Sequence, residues 1–289
     1  MHKPVVAITG ANGFIGSALT QYLENAGYLV ITLARKKYGR KNGQERLYDL
    51  LQPPATDLLA GVEVLIHCAV VWADGQVDAE QLNYRGTEKL ITCARNNGVK
   101  KILFISSVSA HDKAISAYGK GKFRTESLFD PEKDVVLRCS LVIGQSGLFG
   151  RMLQHALSKR IVPLFYKGRQ QVQIISIDDV LIAVLTIITG NLAGRYILAN
   201  RQHITYRSIF ETIARVYKKR IIFIPVPVRI IQLLIKITSL LRLPFPVTNE
   251  NIQGLKTVQF MDPEASLQQL QLNPASLEEK LQTMASQSI

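Results

Sequence analysis

Three groups of residues have types and spacings that can do chemistry. The first is Thr9-Gly10-Ala11-Asn12-Gly13-Phe14-Ile15-Gly16, set between an apolar β-like run and a helical period. Glycines there let the backbone turn tightly and approach a pyrophosphate, which the free N–H groups of the helix start would hold. The second is Tyr118-Gly119-Lys120-Gly121-Lys122, where i, i+4 spacing on a helix puts the Lys122 ammonium beside the Tyr118 phenol. A neighbouring cation lowers a phenol's pKa and favours tyrosinate as a base, so a lowered Tyr118 is expected. The third is Ser106-Ser107, which closes an apolar run shortly before Tyr118. In a parallel α/β sheet the carboxyl ends of strands face the ligand crevice, which would set a hydroxyl beside whatever the glycine loop holds. Arg35, in Leu33-Ala34-Arg35-Lys36-Lys37, joins them at the end of the second strand. Asp or Glu at that place suits the ribose hydroxyls of NAD, whereas arginine suits the 2′-phosphate of NADP. NADP(H) is therefore favoured, NAD(H) is the alternative, and a solvated basic loop is the bland reading of the same residues.

The hydropathy pattern supplies a frame for these groups. Apolar runs at 5–9, 29–33, 62–68, 101–106 and 135–143 read as strands, with helical periods from Ile15 to a stop at Gly27, at 80–97 and at 118–129. Such alternation specifies an α/β fold, a Rossmann-like doubly wound parallel sheet, because parallel neighbours need crossover connections. The runs at 173–177 and 180–189 read as one more strand and helix of that core. Helices at 206–216, 228–241 and 274–284 around a short strand at 220–224 read as a smaller helix-rich C-terminal substrate lobe. The expected division is an NAD(P)-binding domain at 1–145, completed by 173–198, with 146–172 and 199–289 forming the substrate lobe.

At 289 residues the chain can bury about three-quarters of its unfolded surface and needs no covalent staple. With 47% apolar and 20% charged residues it is neither disordered, collagenous nor coiled coil. Cys68, Cys93 and Cys139 are odd in number, form no CxxC pair and lie in apolar stretches. They suit a reducing cytoplasm better than a disulfide framework or a zinc ribbon. The apolar run after Lys3 gives way to glycines rather than to a cleavage site, and the charge-free stretch 4–23 is broken by Thr9, Gly10, Asn12, Gly13 and Gly16. Neither a signal peptide nor a spanning helix is expected there, and a cytoplasmic location is. A net charge of +13 implies anionic partners. Apart from Lys36, Lys37, Arg40 and Lys41 the basic residues are dispersed, without interleaved aromatics, so a phosphorylated small molecule is favoured over nucleic acid.

In their order along the chain these motifs resemble the short-chain dehydrogenase/reductase superfamily in its extended branch, the NAD(P)-dependent epimerases, dehydratases and sugar reductases. The resemblance rests on TGxxGxxG at 9–16, Asp49-Leu50 where the family contacts adenine, and His67-Cys68-Ala69 in place of HLAA. Asn83 opens a segment like NxxGT, 118–126 matches YGxxKxxxE, and Arg138 with 142–144 resembles LRPxxVYG, Cys139 standing where proline is usual. Ile177-Asp178-Asp179-Val180 resembles xVDDxA, and 274–281 the closing helix. The resemblance implies Tyr118 as general acid/base, Lys122 on the nicotinamide ribose, and Ser107 on the reacting oxygen. It implies hydride passing between the substrate carbon and the nicotinamide. Asp49, Leu50, Cys68, Ala69 and Asn83 would join Gly10, Asn12, Gly13, Phe14, Ile15, Gly16 and Arg35 around the cofactor.

The implied substrate is a nucleotide sugar, whose diphosphate suits the basic charge, and the implied assembly is a homodimer through two helices. Dehydratases follow the catalytic hydroxyl with an Asp-Glu pair that removes water, whereas Val108 and Ser109 follow Ser107 here. That tells against dehydration. Ala110-His111-Asp112 replaces the family's VYG and the connection to Tyr118 is short, which trims the substrate pocket. Arg35 inclines the reading to 4-keto reduction over 4-epimerisation. Two alternatives stand beside it: an NADPH-dependent reductase of a non-sugar carbonyl, which an apolar second lobe would suit, and a non-catalytic NADP(H)-binding sensor or scaffold. The intact Ser107, Tyr118 and Lys122 argue against the last.

Other residues have plainer readings. His67 ends an apolar strand with no second His or carboxylate at ligand spacing, so it is a satisfied core residue and no metal is expected. His111 reads as an exposed loop histidine rather than a proton carrier. Asp178-Asp179 reads as a helix start. The stretch 228–241 sets Ile230, Ile231, Leu233, Leu234, Ile237 and Leu241 opposite Arg229, Gln232 and Lys236. It would pack on its own lobe or on a dimer partner, with peripheral membrane contact, useful in envelope polysaccharide biosynthesis, as the second reading.

Overall fold

A computed structural model describes residues 2–37, 39, 44–72, 78–227 and 259–287. In chain order its strands are β1 (Val6–Thr9), β2 (Val30–Ala34), β3 (Gln44–Leu47), β4 (Val64–His67), β5 (Lys101–Ser107), β6 (Val135–Cys139), β7 (Leu141–Ile143), β8 (Ile161–Leu164), β9 (Gln171–Val172), β10 (Ile174–Ser176), β11 (Gly194–Leu198), β12 (Ile204–Thr205) and β13 (Ile222–Pro225). The helices are α1 (Phe14–Asn25), α2 (Ala79–Asn96), α3 (Ala117–Glu126), α4 (Gly147–Lys159), α5 (Ile177–Thr189), α6 (Tyr206–Val216), α7 (Glu264–Gln269) and α8 (Leu277–Ser286).

Seven strands form one sheet in the order β11-β6-β5-β4-β1-β2-β3, parallel throughout. Helices cover both faces, and side chains alternate between them as the pleat requires. Ile8, Leu103 and Ile105 enter a core shared with α1 and α5, while Ala7, Ile102 and Phe104 enter one shared with α2. The chain order reverses at β1, which pairs with both β2 and β4, and the crevice of a doubly wound sheet opens at the carboxyl ends of such strands.

The run 135–143 is two strands, not one. At Ser140 the backbone N–H turns to Leu198 O (2.9 Å), leaving β6 in the central sheet, while β7 pairs with β10 in a separate two-stranded sheet. The run at 173–177 therefore does not extend the central sheet, whose last strand is β11, although Ile175 enters the core shared with α1 and α5. The edge strand β3, Gln-Glu-Arg-Leu, carries no apolar run and gives no signal in the sequence. Around α4, α6 and α8 lies a third core of Phe149, Leu153, Ile209, Ile213, Leu281 and Met284. Asp179 completes a capping box with Ser176 at the start of α5. The stretch 228–241, Arg40 and Lys41 lie outside the described residues. Among the described residues no helix is long and apolar enough to cross a membrane.

Two buried polar networks set the crevice. In the first, Thr9 Oγ1 accepts the backbone N–H groups of Cys68 and Ala69, both at 3.1 Å, which occupies its two lone pairs. Its own proton must then go to His67 Nδ1 (2.7 Å), so His67 carries its proton on Nε2 and donates it to Thr87 Oγ1 (3.0 Å). Burial holds the ring neutral by pushing its pKa down to about 3. In the second, the Glu126 carboxylate accepts from Ser106 Oγ (2.6 Å) and from Arg138 Nε (2.9 Å) and Nη2 (2.6 Å), tying α3 to β5 and β6.

Each network gives a prediction. Unfolded His67 takes a proton near pH 6.5 and folded His67 only near pH 3, so its share of stability is complete above pH 6.5 and fades as pH falls toward 3. Urea unfolding should show a loss of about 2 kcal/mol from this group between pH 7 and pH 5. His67→Gln should flatten that slope; an unchanged slope removes His67 as its source. Glu126→Ala strands a buried guanidinium and should cost about 3–5 kcal/mol in the same assay. The double variant Glu126→Met/Arg138→Leu should regain most of that loss.

Candidate active site

The glycine loop is built by close approach. Gly10 takes φ +62°, and a Cβ on it would stand 2.8 Å from Ala69 N; a Cβ on Gly16 would stand 2.3 Å from Gly10 O. Only glycine fits at either place. Gly13 caps α1 without a side-chain hydrogen bond and the first turn carries no acid, whereas Asp78, Ser116, Ser176, Thr205 and Ser276 cap α2, α3, α5, α6 and α8 with theirs. The N–H groups at the head of α1 are thus left for an outside acceptor, and the backbone can come close to it. This cradle fits the pyrophosphate of a dinucleotide.

The other cofactor candidates lie around the same strand ends. Asn12 is exposed, Phe14 and Ile15 are half-buried, and the Phe14 ring lies against the backbone at Gly144 and Gly147. Arg35 is exposed just after β2, and the Tyr48 N–H bonds Ala34 O (2.9 Å), which brings Asp49 alongside it. Asp49 Oδ1 accepts the Leu51 N–H (3.0 Å), and Leu50 is buried against Gly86 of α2. Cys68 and Ala69 form the turn that the glycine loop rests on, and burial pushes the Cys68 thiol up to about 12. Asn83 is engaged within the protein. Its Nδ2 donates to Val71 O (2.8 Å) and Ala79 O (2.6 Å) and its Oδ1 accepts the Val71 N–H (2.8 Å), so both its donors are spent within the protein.

Ser107, Tyr118 and Lys122 come together at the carboxyl end of β5. The Ser107 side chain hydrogen-bonds the Tyr118 phenol and also accepts the Ser109 N–H (3.1 Å). Lys122 Nζ donates to Ile105 O (2.7 Å) and sits 4.3 Å from the centre of the Phe104 ring, which stacks between His67 and Phe129. Burial pulls the Lys122 ammonium down to about 8. The lowered Tyr118 expected from its spacing to Lys122 is not found. Burial pushes the phenol up to about 12 against the opposing Ser107 bond, because desolvation of the phenolate outweighs that stabilisation. His111 also departs from expectation: it is buried, and its Nδ1 has no hydrogen-bond partner.

Three features at the site escaped the sequence reading. Trp72 stacks on Tyr118 with ring centres 5.2 Å apart and planes 14° from parallel, Phe104 supports Lys122, and the Glu126–Arg138 fork anchors α3. The chain's single tryptophan after an apolar run was the available signal for the first. A groove of about 360 Å³ between α1, α5 and α8, lined by Phe14, Tyr22, Asp178, Lys280 and Met284, includes none of Ser107, Tyr118 and Lys122. Among the described residues no group of three or more His, Cys, Asp or Glu could hold a metal ion.

Residues 6–199 match the model of the NAD dependent epimerase/dehydratase family. A ceramide reductase of Caulobacter vibrioides is 35% identical over 127 residues, 42% of this chain and 40% of the relative. The chain spans between 23% and 40% of the length of the curated relatives it matches. Two solved structures share its fold. The UDP-glucose 4-epimerase of Thermotoga maritima with UDP-glucose has a TM-score of 0.74 at 21% identity, covering 98% of this chain and 97% of that one. The UDP-glucuronic acid 4-epimerase of Bacillus cereus with UDP-glucuronic acid and NAD has a TM-score of 0.74 at 18% identity, covering 99% and 100%. With the family's match running through the glycine loop, the β5 serine and the α3 tyrosine and lysine, the chain belongs to the NAD dependent epimerase/dehydratase family.

Proposed function

We propose that the chain is an NADP(H)-preferring oxidoreductase that moves a hydride at a carbonyl carbon, with Tyr118 as the proton donor and acceptor. The observation that carries this reading is the meeting of Ser107, Tyr118 and Lys122 at the end of β5. A nicotinamide supplies the hydride when bound. Lys122 gives one of its three N–H groups to Ile105 O and keeps two for the hydroxyls of a ribose. Ser107, whose single proton lies toward the phenol in the free site, would turn it to the substrate oxygen and orient that oxygen toward Tyr118. Tyr118, held near 12, is protonated at neutral pH and delivers its proton as negative charge develops on that oxygen. A protonated phenol suits reduction better than oxidation.

Gly10, Gly13 and Gly16 would receive the pyrophosphate, Arg35 the 2′-phosphate, and Asp49 with Leu50 the adenine edge. For the substrate, the resemblance points to a nucleotide sugar, reduced at a 4-keto carbon or epimerised there through a keto intermediate. The net charge of +13 and the UDP-sugars held by the structural neighbours support it. The second reading, a non-sugar carbonyl, is favoured by the indole beside Tyr118 and by the ceramide reductase relative. Cytoplasmic location and a homodimer belong to the same proposal and rest on the thiol pattern and the resemblance.

Tyr118→Phe removes the proton donor and keeps the ring. Turnover should fall by about 10²–10⁴-fold, while NADPH affinity, followed by nicotinamide fluorescence, stays within about threefold. Retained turnover would strip Tyr118 of its role. Arg35→Asp should reverse the preference between NADPH and NADH in the same titration, since a carboxylate repels the 2′-phosphate and accepts from ribose hydroxyls. A constant ratio of the two affinities would show that Arg35 does not touch that phosphate.

A further inference from the structure

Trp72 is the chain's single tryptophan, and at 66% exposure it is the most exposed large apolar side chain among the described residues. Indole is among the most rewarding groups to bury, so leaving it in water calls for a reason. Its position is not slack. Asn83 holds both the N–H and the C=O of Val71, as a neighbouring strand would, and Thr9 with His67 fixes the chain a few residues earlier. One face of the indole is thereby held on the Tyr118 ring, and most of its remaining surface is open.

The indole covers one face of the Tyr118 ring, so a molecule whose oxygen comes to the Tyr118 hydroxyl from that side passes against it. Its π face rewards C–H groups or a second ring and offers no hydrogen bond except at Nε1. We propose that Trp72 is a specificity-determining residue that packs the carbon framework flanking the reacting carbonyl, selecting substrates with a flat C–H or π face next to it. The inference rests on Tyr118 as the acid/base. An aryl ketone presents such a face, and so does the C–H side of a keto-pyranose.

The test uses the full chain with NADPH and two probes, 4-chromanone and a UDP-4-keto-hexose. Trp72→Ala should raise KM for the accepted probe about tenfold or more, with kcat within about threefold and NADPH affinity unchanged, and Trp72→Phe should restore most of it. The probe that shows the effect identifies the source of the flat face. An unchanged KM for an accepted probe overturns the proposal, and so does a joint loss of kcat and NADPH affinity, which would make Trp72 a structural residue. If the wild type oxidises NADPH with neither probe, it is the reading of Tyr118 that fails. Trp72 is then judged by its own emission in the NADP⁺-loaded protein: saturable quenching by either probe supports the platform, and none overturns it.

Discussion

The Glu126 carboxylate is where the placement of Tyr118 and Lys122 is decided. Tyr118, Lys122 and Glu126 succeed one another at four-residue steps and share one face of α3. That helix is only ten residues long and too short to hold its own position. Glu126 accepts from Ser106 on β5 and from the planar fork of Arg138 on β6, two adjacent strands, which fixes the helix in distance and in rotation together. A hydrophobic contact there would set the distance and leave the rotation free. A fork meeting a carboxylate in two parallel bonds sets both.

The chemistry of the site depends on desolvation as much as on charge. Spacing alone suggests that Lys122 acidifies Tyr118, yet the ammonium is drawn to the Ile105 carbonyl, which takes one of its N–H groups, and to the face of Phe104. Around the phenol, loss of water outweighs the one hydrogen bond that stabilises its anion. The result is a neutral phenol beside a cation, which is the pairing that the proposed reduction calls for.

How much could be read from the sequence depends on how local the cause is. The glycine loop was legible because close approach and a left-handed φ admit one residue type, whatever surrounds them. Ser107, Tyr118 and Lys122 were legible as a set because strand ends and a helix turn suffice to bring them together. The break at Ser140 was not, since it depends on Leu198, far along the chain. Asn83 shows the same limit. Its motif resembles a family segment, and nothing in the motif or the periodicity reveals the ties its amide makes to Val71 and Ala79. His111 was judged by its polarity and its loop, and packing buried it.

The six residues from His67 to Trp72 are fixed twice, at the base by Thr9 and near the tip by Asn83. The first tie serves the segment on which the glycine loop rests, and the second holds the residue just before the indole. Position 72 is therefore tied to the protein separately from the glycine loop. A side chain at that position can change while the contacts beneath the glycine loop stay as they are.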